Sequence, residues 1–160
     1  MMLLENLGTL LTFLAASLAA LVPGVGSAKA VGSSGEAAVG VLAEDPSKFG
    51  KVLILQALPG TQGIYGLLSW FMIMSQSGIL GGASNVSWQA GLSFLIAALP
   101  IVIVGYLSAI YQGKVSEAGI ALIAKRPEES GKAIVLAVMV ETYAILALLA
   151  TILAVFSVQV

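Results

Sequence analysis

Apart from Glu5 and Glu141, the charged residues in this chain fall into two clusters separated by a long uncharged, mostly apolar stretch. Asn6 to Ala28 carries no charge, and Lys29, Glu36, Glu44, Asp45, Lys48 and Lys51 then come together. Val52 to Gly113 is again uncharged throughout, and Lys114, Glu117, Lys125, Arg126, Glu128, Glu129 and Lys132 form the second cluster. Ala133 to Val160 is a final apolar segment with a single charge, Glu141. About 20 apolar residues cross the hydrocarbon core of a bilayer as a helix. The run from Val52 to Gly113 is too long for one crossing, and Gln, Ser, Gly-Gly and Asn interrupt it from Ser75 to Gln89, a loop composition. The pattern predicts four helices, over 6–43, 47–74, 86–125 and 129–158.

The chain repeats itself at one constant offset without a gap, pairing Gly24 with Gly105, Gly32 with Gly113, Glu36 with Glu117, and Ala37 with Ala118. The register continues through Pro46 and Pro127, Gly50 and Gly131, Lys51 and Lys132, Leu55 and Leu136, and Thr61 and Thr142. The expected fold is therefore all-α, two tandem-duplicated helical hairpins at about 6–79 and 86–160 within one membrane domain. Glu141 breaks the symmetry, because its counterpart is Gly60. One carboxylate serves four helices.

Composition agrees with a membrane protein: 59% hydrophobic and 9% charged, against roughly 25% charged for a soluble domain. A net charge of -1 leaves no footprint for nucleic acid. With no Cys and no His, disulfides, thiolate chemistry and the usual zinc, copper and haem ligands are excluded. Met1 to Ala20 loosely resembles a signal peptide, but it has Glu5 and no basic start, so it reads as a retained helix. All seven Lys and Arg fall in the helix 1–2 and helix 3–4 connections. By the positive-inside rule these connections are cytoplasmic, and both termini and the Ser75–Gln89 loop face the other side.

Small residues recur every fourth position in helix 1 at Ala16, Ala20, Gly24, Ala28 and Gly32, and helix 3 repeats much of this at Ala97, Gly105, Ala109 and Gly113. Such stripes let helix backbones approach closely in lipid, within one chain and between copies. Pro23 and Pro100 are expected to bend their helices. Pro59 differs because of its surroundings.

Leu58, Thr61, Gln62 and Tyr65 follow an i, i+3, i+4, i+7 spacing, one helix face, beside a carbonyl that Pro59 is expected to free. Thr61, Gln62, Gln112 and Glu141 are nearly equally far along the chain from the hairpin tips at Pro46 and Pro127. At about 1.5 Å of rise per residue they share one level, roughly 22 Å from the tips. A lone intramembrane carboxylate is costly and marks a functional site by default. Oxygen ligands with one negative charge suit a hard monovalent cation, since divalent ions usually take more carboxylates or water. An occupied site would be neutral and could face lipid. The competing reading makes these residues hydrogen-bonded glue around a protonated Glu141.

These residues resemble the proteolipid (K or c) subunit of V-type rotary ATPases in its duplicated-hairpin form. The resemblance runs through Gly26-Ser27-Ala28-Lys29-Ala30-Val31-Gly32, Leu55 to Gly63, Gln112-Gly113-Lys114 and Val140-Glu141-Thr142-Tyr143-Ala144. The Leu58-Pro59-Gly60-Thr61-Gln62 segment with Gln112 is similar to the sodium-translocating branch. That branch implies Na⁺ ligands at the Leu58 carbonyl, Thr61, Gln62, Gln112 and Glu141, with Tyr65 hydrogen-bonded to Glu141, and H⁺ or Li⁺ as substitutes. It implies a homo-oligomeric rotor ring in a prokaryotic plasma membrane, turning against a stator subunit with an arginine and joined to central-stalk subunits. The implied role is non-catalytic: Gly32-Ser33-Ser34-Gly35-Glu36 lacks the Gly-Lys-Ser/Thr ending of a phosphate loop. Glu36 and Glu117 read as cytoplasm-side residues paired with Lys29 and Lys114, and these lysines are placed to snorkel or meet lipid headgroups. The hairpin tips read as solvated turns open to the stalk. Two other readings compete, a proton ring and a four-helix drug antiporter using one membrane Glu. The duplication and the long helix extensions weigh against the antiporter, and a non-transporting membrane scaffold is the remaining alternative.

Overall fold

A computed structural model of the chain describes residues 6–82 and 85–160, and its regular elements are all helical. Met1 to Glu5, which precede the expected first helix, lie outside it. Four rods form. The first is α1 (Leu7–Glu44). The second is α2 (Phe49–Ala57) and α3 (Thr61–Gln76), joined by a 3-10 turn over Leu58–Gly60. The third is α4 (Trp88–Pro100) and α5 (Tyr106–Lys125), joined by a π-helical turn over Ile101–Gly105. The fourth is α6 (Ser130–Ser157).

The rod boundaries recur in the register of the sequence repeat: Leu7–Glu44 against Trp88–Lys125, Pro46–Lys48 against Pro127–Glu129, and Phe49–Gln76 against the bounds of α6. The helical stretches 7–44, 88–125 and 127–157 are long and apolar enough to cross a membrane; the second rod is cut at Pro59 into two shorter helices. The connection between hairpins is shorter than the Ser75–Gln89 expectation, because α3 runs to Gln76 and α4 starts at Trp88, capped by Ser87. Its 3-10 turn is flanked by Gly78 and Gly82 at φ 74 and 92, left-handed backbone that favours glycine.

α1 packs along the second and third rods, and α6 packs against the same two from the other side. On α1 the packing inverts that of a soluble protein. Buried residues of α1 are Gly, Ala, Ser, Thr and Pro without exception, while Leu10, Phe13, Leu21, Phe71, Leu153 and Phe156 point outward. Lipid is as apolar as leucine, so burial does not sort residues by hydrophobicity; close backbone approach does. Pro23 shows the fit. It lies buried inside a continuous α1, where a methyl on Gly66 would lie 3.2 Å from its ring and one on Gly105 3.1 Å.

Only part of the helix 1 stripe takes part in packing within the chain. Ala16 is buried, but Ala28 and Gly32 are exposed, and the inward face runs instead through Thr12, Ala16, Ala19, Pro23, Ala30 and Ser34. A strict spacing of four drifts by about 40° per step on a 3.6-residue helix, so it cannot follow one face for long. The helix 3 stripe is buried throughout, at Ala97, Gly105, Ala109 and Gly113.

Two apolar clusters hold the rods. One, with Ile73, Phe94, Ile101 and Val155, lies toward the inter-hairpin connection; the other, with Val52, Leu55, Ile120 and Ile123, lies toward the tips. At the tips, Lys48 Nζ donates to the Ala124 carbonyl and Lys51 Nζ to the Pro127 carbonyl, each at 2.9 Å, tying the hairpins together. Asp45 caps its turn by accepting from the Ser47 hydroxyl at 2.6 Å and the Ser47 N–H at 3.0 Å. These bonds hold its carboxyl below the usual carboxylate range.

Candidate functional site

Between the two apolar clusters the chain buries polar side chains. Gln62 and Gln112 are fully buried and Glu141 is 8% exposed. Three rods supply them: α3 gives Gln62, α5 gives Gln112 and α6 gives Glu141. A buried amide left unpaired costs about 1–3 kcal/mol, so their partners matter.

Pro59 has no N–H, which breaks the regular helical ladder of the second rod. The tightened turn redirects the Leu58 carbonyl, which accepts the Thr61 N–H and, at 3.0 Å, the Thr61 hydroxyl. The Leu58 carbonyl is therefore already held by Thr61. The same hydroxyl lies 3.4 Å from Gln62 Oε1. Gln62 Nε2 donates to Gln112 Oε1 at 2.5 Å. Gln112 Nε2 donates to the Ala137 carbonyl at 3.2 Å and to Glu141 Oε2 at 3.4 Å. The other carboxylate oxygen, Oε1, accepts the Tyr65 hydroxyl at 2.6 Å. All six residues singled out from the sequence, Leu58, Thr61, Gln62, Tyr65, Gln112 and Glu141, thus join one hydrogen-bonded chain.

The site holds one formal negative charge and several oxygens, on the Leu58 carbonyl, Thr61, Gln62, Gln112 and Glu141. Among the described residues no group of three or more His, Cys, Asp or Glu is placed to hold a metal ion. Such a set can take up one hard monovalent cation, or a proton on Glu141, and become neutral.

Several residues matter that the sequence did not single out. The Gly63 N–H donates to Ser27 Oγ at 2.8 Å, tying α1 to the broken second rod. Thr151 Oγ1 accepts the Ile101 N–H at 3.2 Å, compensating the widened turn behind Pro100. A serine or threonine in an apolar helix gives no sign of which distant N–H it will meet. The pairing of Lys29 with Glu36 and Lys114 with Glu117 does not form. Lys29 lies over the Tyr106 ring at 6.0 Å and Lys114 over Tyr111 at 5.1 Å, because these exposed ammonium groups reach a neighbouring aromatic face instead.

The family model for the ATP synthase C subunit matches residues 14–73 and again 95–154, once in each hairpin. The chain is 49% identical over 142 residues to V-type sodium ATPase subunit K of Enterococcus hirae, covering 89% of this chain and 88% of that one. It is 39% identical over 138 residues to A-type ATP synthase subunit K of Methanocaldococcus jannaschii, covering 86% of this chain and 58% of that longer one. With both hairpins matched, the chain belongs to the ATP synthase C-subunit family, the ion-translocating proteolipid rotor subunits that leave catalysis to other parts of the ATPase complex.

Proposed function

We propose that this protein is the rotor-ring subunit of a V-type ATPase or ATP synthase that carries one Na⁺ per copy, held at Glu141. The observation that carries this reading is the continuous chain from Leu58 to Tyr65 around a single buried carboxylate, which offers oxygens from three rods and a charge that one Na⁺ balances. The sodium ATPase relative supports the choice of ion.

Binding requires the two amides to trade partners. The Gln62–Gln112 hydrogen bond opens, and Gln62 Oε1 and Gln112 Oε1 turn toward the ion together with the Leu58 carbonyl, Thr61 Oγ1 and Glu141. Tyr65 keeps its bond to Glu141 and holds the carboxylate against α3. The loaded site is neutral and crosses the lipid between visits to the stator. There an arginine facing Glu141 offers the carboxylate an alternative partner, and the ion leaves into an aqueous path. All four rods span the bilayer as two hairpins of one membrane domain. Their tips are cytoplasmic, where they meet the central stalk, and both termini lie on the opposite side of a prokaryotic plasma membrane. Copies of the chain form the ring.

Carbodiimide reacts with a protonated carboxyl, so a bound cation protects it. Labelling of Glu141 in the detergent-solubilised assembly should slow several-fold on adding Na⁺ at constant pH and ionic strength. Labelling indifferent to Na⁺, with pumping that needs none, would reject Na⁺ and select H⁺.

A further inference from the structure

α1 supplies no atom to the hydrogen-bonded chain around Glu141, yet one of its side chains holds the helix that carries Thr61, Gln62 and Tyr65. That helix, α3, starts in mid-rod after the break at Pro59, and its N-cap residue is Gly60. A glycine has no side chain with which to cap. An N-cap side chain ordinarily accepts the N–H of the second or third helical residue. Gly63 is the third residue of α3, and its N–H donates to Ser27 Oγ at 2.8 Å. Ser27 thus fills the place of the missing cap from a different helix. The approach is close, because a methyl on Gly63 would lie 3.3 Å from Ser27 Cβ and 3.5 Å from Gly24 Cα.

The sequence repeat contains the comparison that isolates this role. The mates of Ser27 and Gly63 are Ser108 and Ala144. α6 runs unbroken through Ala144, so no helix starts there and no cap is needed. Ser108 turns back on its own helix and donates to the Gly105 carbonyl at 3.3 Å. The two serines are equally buried, at 6% and 5% exposure, so they differ in what they hold and not in how they are packed.

We infer that Ser27 is a positioning residue of the cation site: its bond to Gly63 fixes the first turn of α3 at the rotation that brings Thr61 and Gln62 to Glu141. This deepens the reading of the site as a Na⁺ site and rests on it. When Gln62 exchanges Gln112 for the ion, its side chain turns while the backbone beside it stays anchored to α1. The cap also acts through charge. The first N–H groups of a helix carry partial positive charge, which is unfavourable beside a cation. Ser27 Oγ accepts from one of them and so lessens that charge. Tyr65 is held separately, by its packing against the apolar cluster toward the inter-hairpin connection, so the carboxylate keeps its own support.

The test is carbodiimide labelling of Glu141 in the solubilised assembly of the full chain. Ser27→Ala should raise the Na⁺ concentration that half-protects Glu141 about fivefold, the loss expected from removing one cap. The labelling rate without Na⁺ should stay that of the parent, because Tyr65 and α6 still hold the carboxylate. Ser108→Ala removes an equally buried hydroxyl and should leave Na⁺ protection unchanged. In protein carrying isotope-labelled glycine, the Gly63 amide proton should shift upfield in Ser27→Ala and not in Ser108→Ala. A parent-like Na⁺ requirement in Ser27→Ala, or an equal rise in Ser108→Ala, overturns the inference and leaves the Na⁺ site standing. Faster labelling of Ser27→Ala without Na⁺ marks a general loosening and also overturns it. An unmoved Gly63 amide overturns it without any ion measurement. Parent labelling that ignores Na⁺ overturns both this inference and the Na⁺ reading.

Discussion

The Tyr65 hydroxyl donates to Glu141 Oε1 at 2.6 Å, joining two positions far apart in sequence and on different hairpins. Tyr65 itself packs against the apolar cluster toward the inter-hairpin connection. Its ring is therefore fixed by packing while its hydroxyl fixes the carboxylate. Hydrogen bonds to charged groups contribute about 1.5–3 kcal/mol, and about 1.4 kcal/mol is tenfold in affinity. Tyr65→Phe keeps the ring and removes the bond. The Na⁺ concentration that half-protects Glu141 from carbodiimide should rise about tenfold or more, with helicity unchanged.

Glu141→Gln removes the charge and keeps the shape. The new amide oxygen still accepts from Tyr65 or Gln112, so the rods should pack as before. An amide cannot neutralise a cation, so ion transport by reconstituted vesicles should fall to background while native mass stays that of the parent. Residual transport near the parent rate would remove Glu141 from the ion path.

Thr151→Val deletes the acceptor for the Ile101 N–H in the widened turn. The Ala98 carbonyl retains part of that bond, which limits the loss to about 1–2 kcal/mol. The midpoint of thermal unfolding in detergent should fall by a few degrees, on the order of 2–4 °C per kcal/mol for a chain of this size. Na⁺ protection of Glu141 should not change, because Thr151 lies more than two helical turns from the carboxylate.

Gly66→Ala and Gly131→Ala should move stability in opposite directions. A methyl on Gly66 would sit 2.5 Å from the Ala19 carbonyl oxygen, so α1 must shift, and such overpacking typically costs about 1–3 kcal/mol. Nothing lies within 4 Å of a methyl on Gly131, an exposed residue of α6. There alanine should stabilise by about 0.4–1 kcal/mol through the unfolded chain. Thermal midpoints of the two variants on either side of the parent check both.

The turn at Asp45 should loosen in acid. Its carboxyl is held below its ordinary value, 3.8, by the Ser47 hydroxyl and N–H. A depressed carboxylate contributes stability that is present above its unfolded value and is lost as pH falls through the folded one. Amide exchange at Ser47 and Lys48, measured at fixed intrinsic rate, should therefore quicken only below about pH 4, and Asp45→Asn should flatten that dependence.

Much of the site was legible because its signals are local. Pro59 beside Thr61 and Gln62 announces a broken helix with polar groups at the break. A count along the chain from each tip puts Gln112 and Glu141 at the same depth. The hydrogen bonds among them were not legible in the residues: whether Gln62 meets Gln112 or Glu141 depends on how far each rod is rotated. Which members of the helix 1 stripe pack within the chain was not legible for the same reason. Its spacing of four marks a run of small residues, but Ala28 and Gly32 turn away from the neighbours that Ala30 and Ser34 meet.

The sequence alone determined the helical rods, their tandem duplication and the placement of one carboxylate among them, because charge, hydropathy and helical rise are properties read along a line. Only the tertiary structure decided which face of each rod turns inward. In lipid an outward leucine is as comfortable as a buried one, so hydrophobicity does not choose. The choice falls to small residues that let backbones touch, such as Gly66 and Gly105 around Pro23, and to polar atoms that must find partners across rods, such as Thr151 for Ile101 and Tyr65 for Glu141.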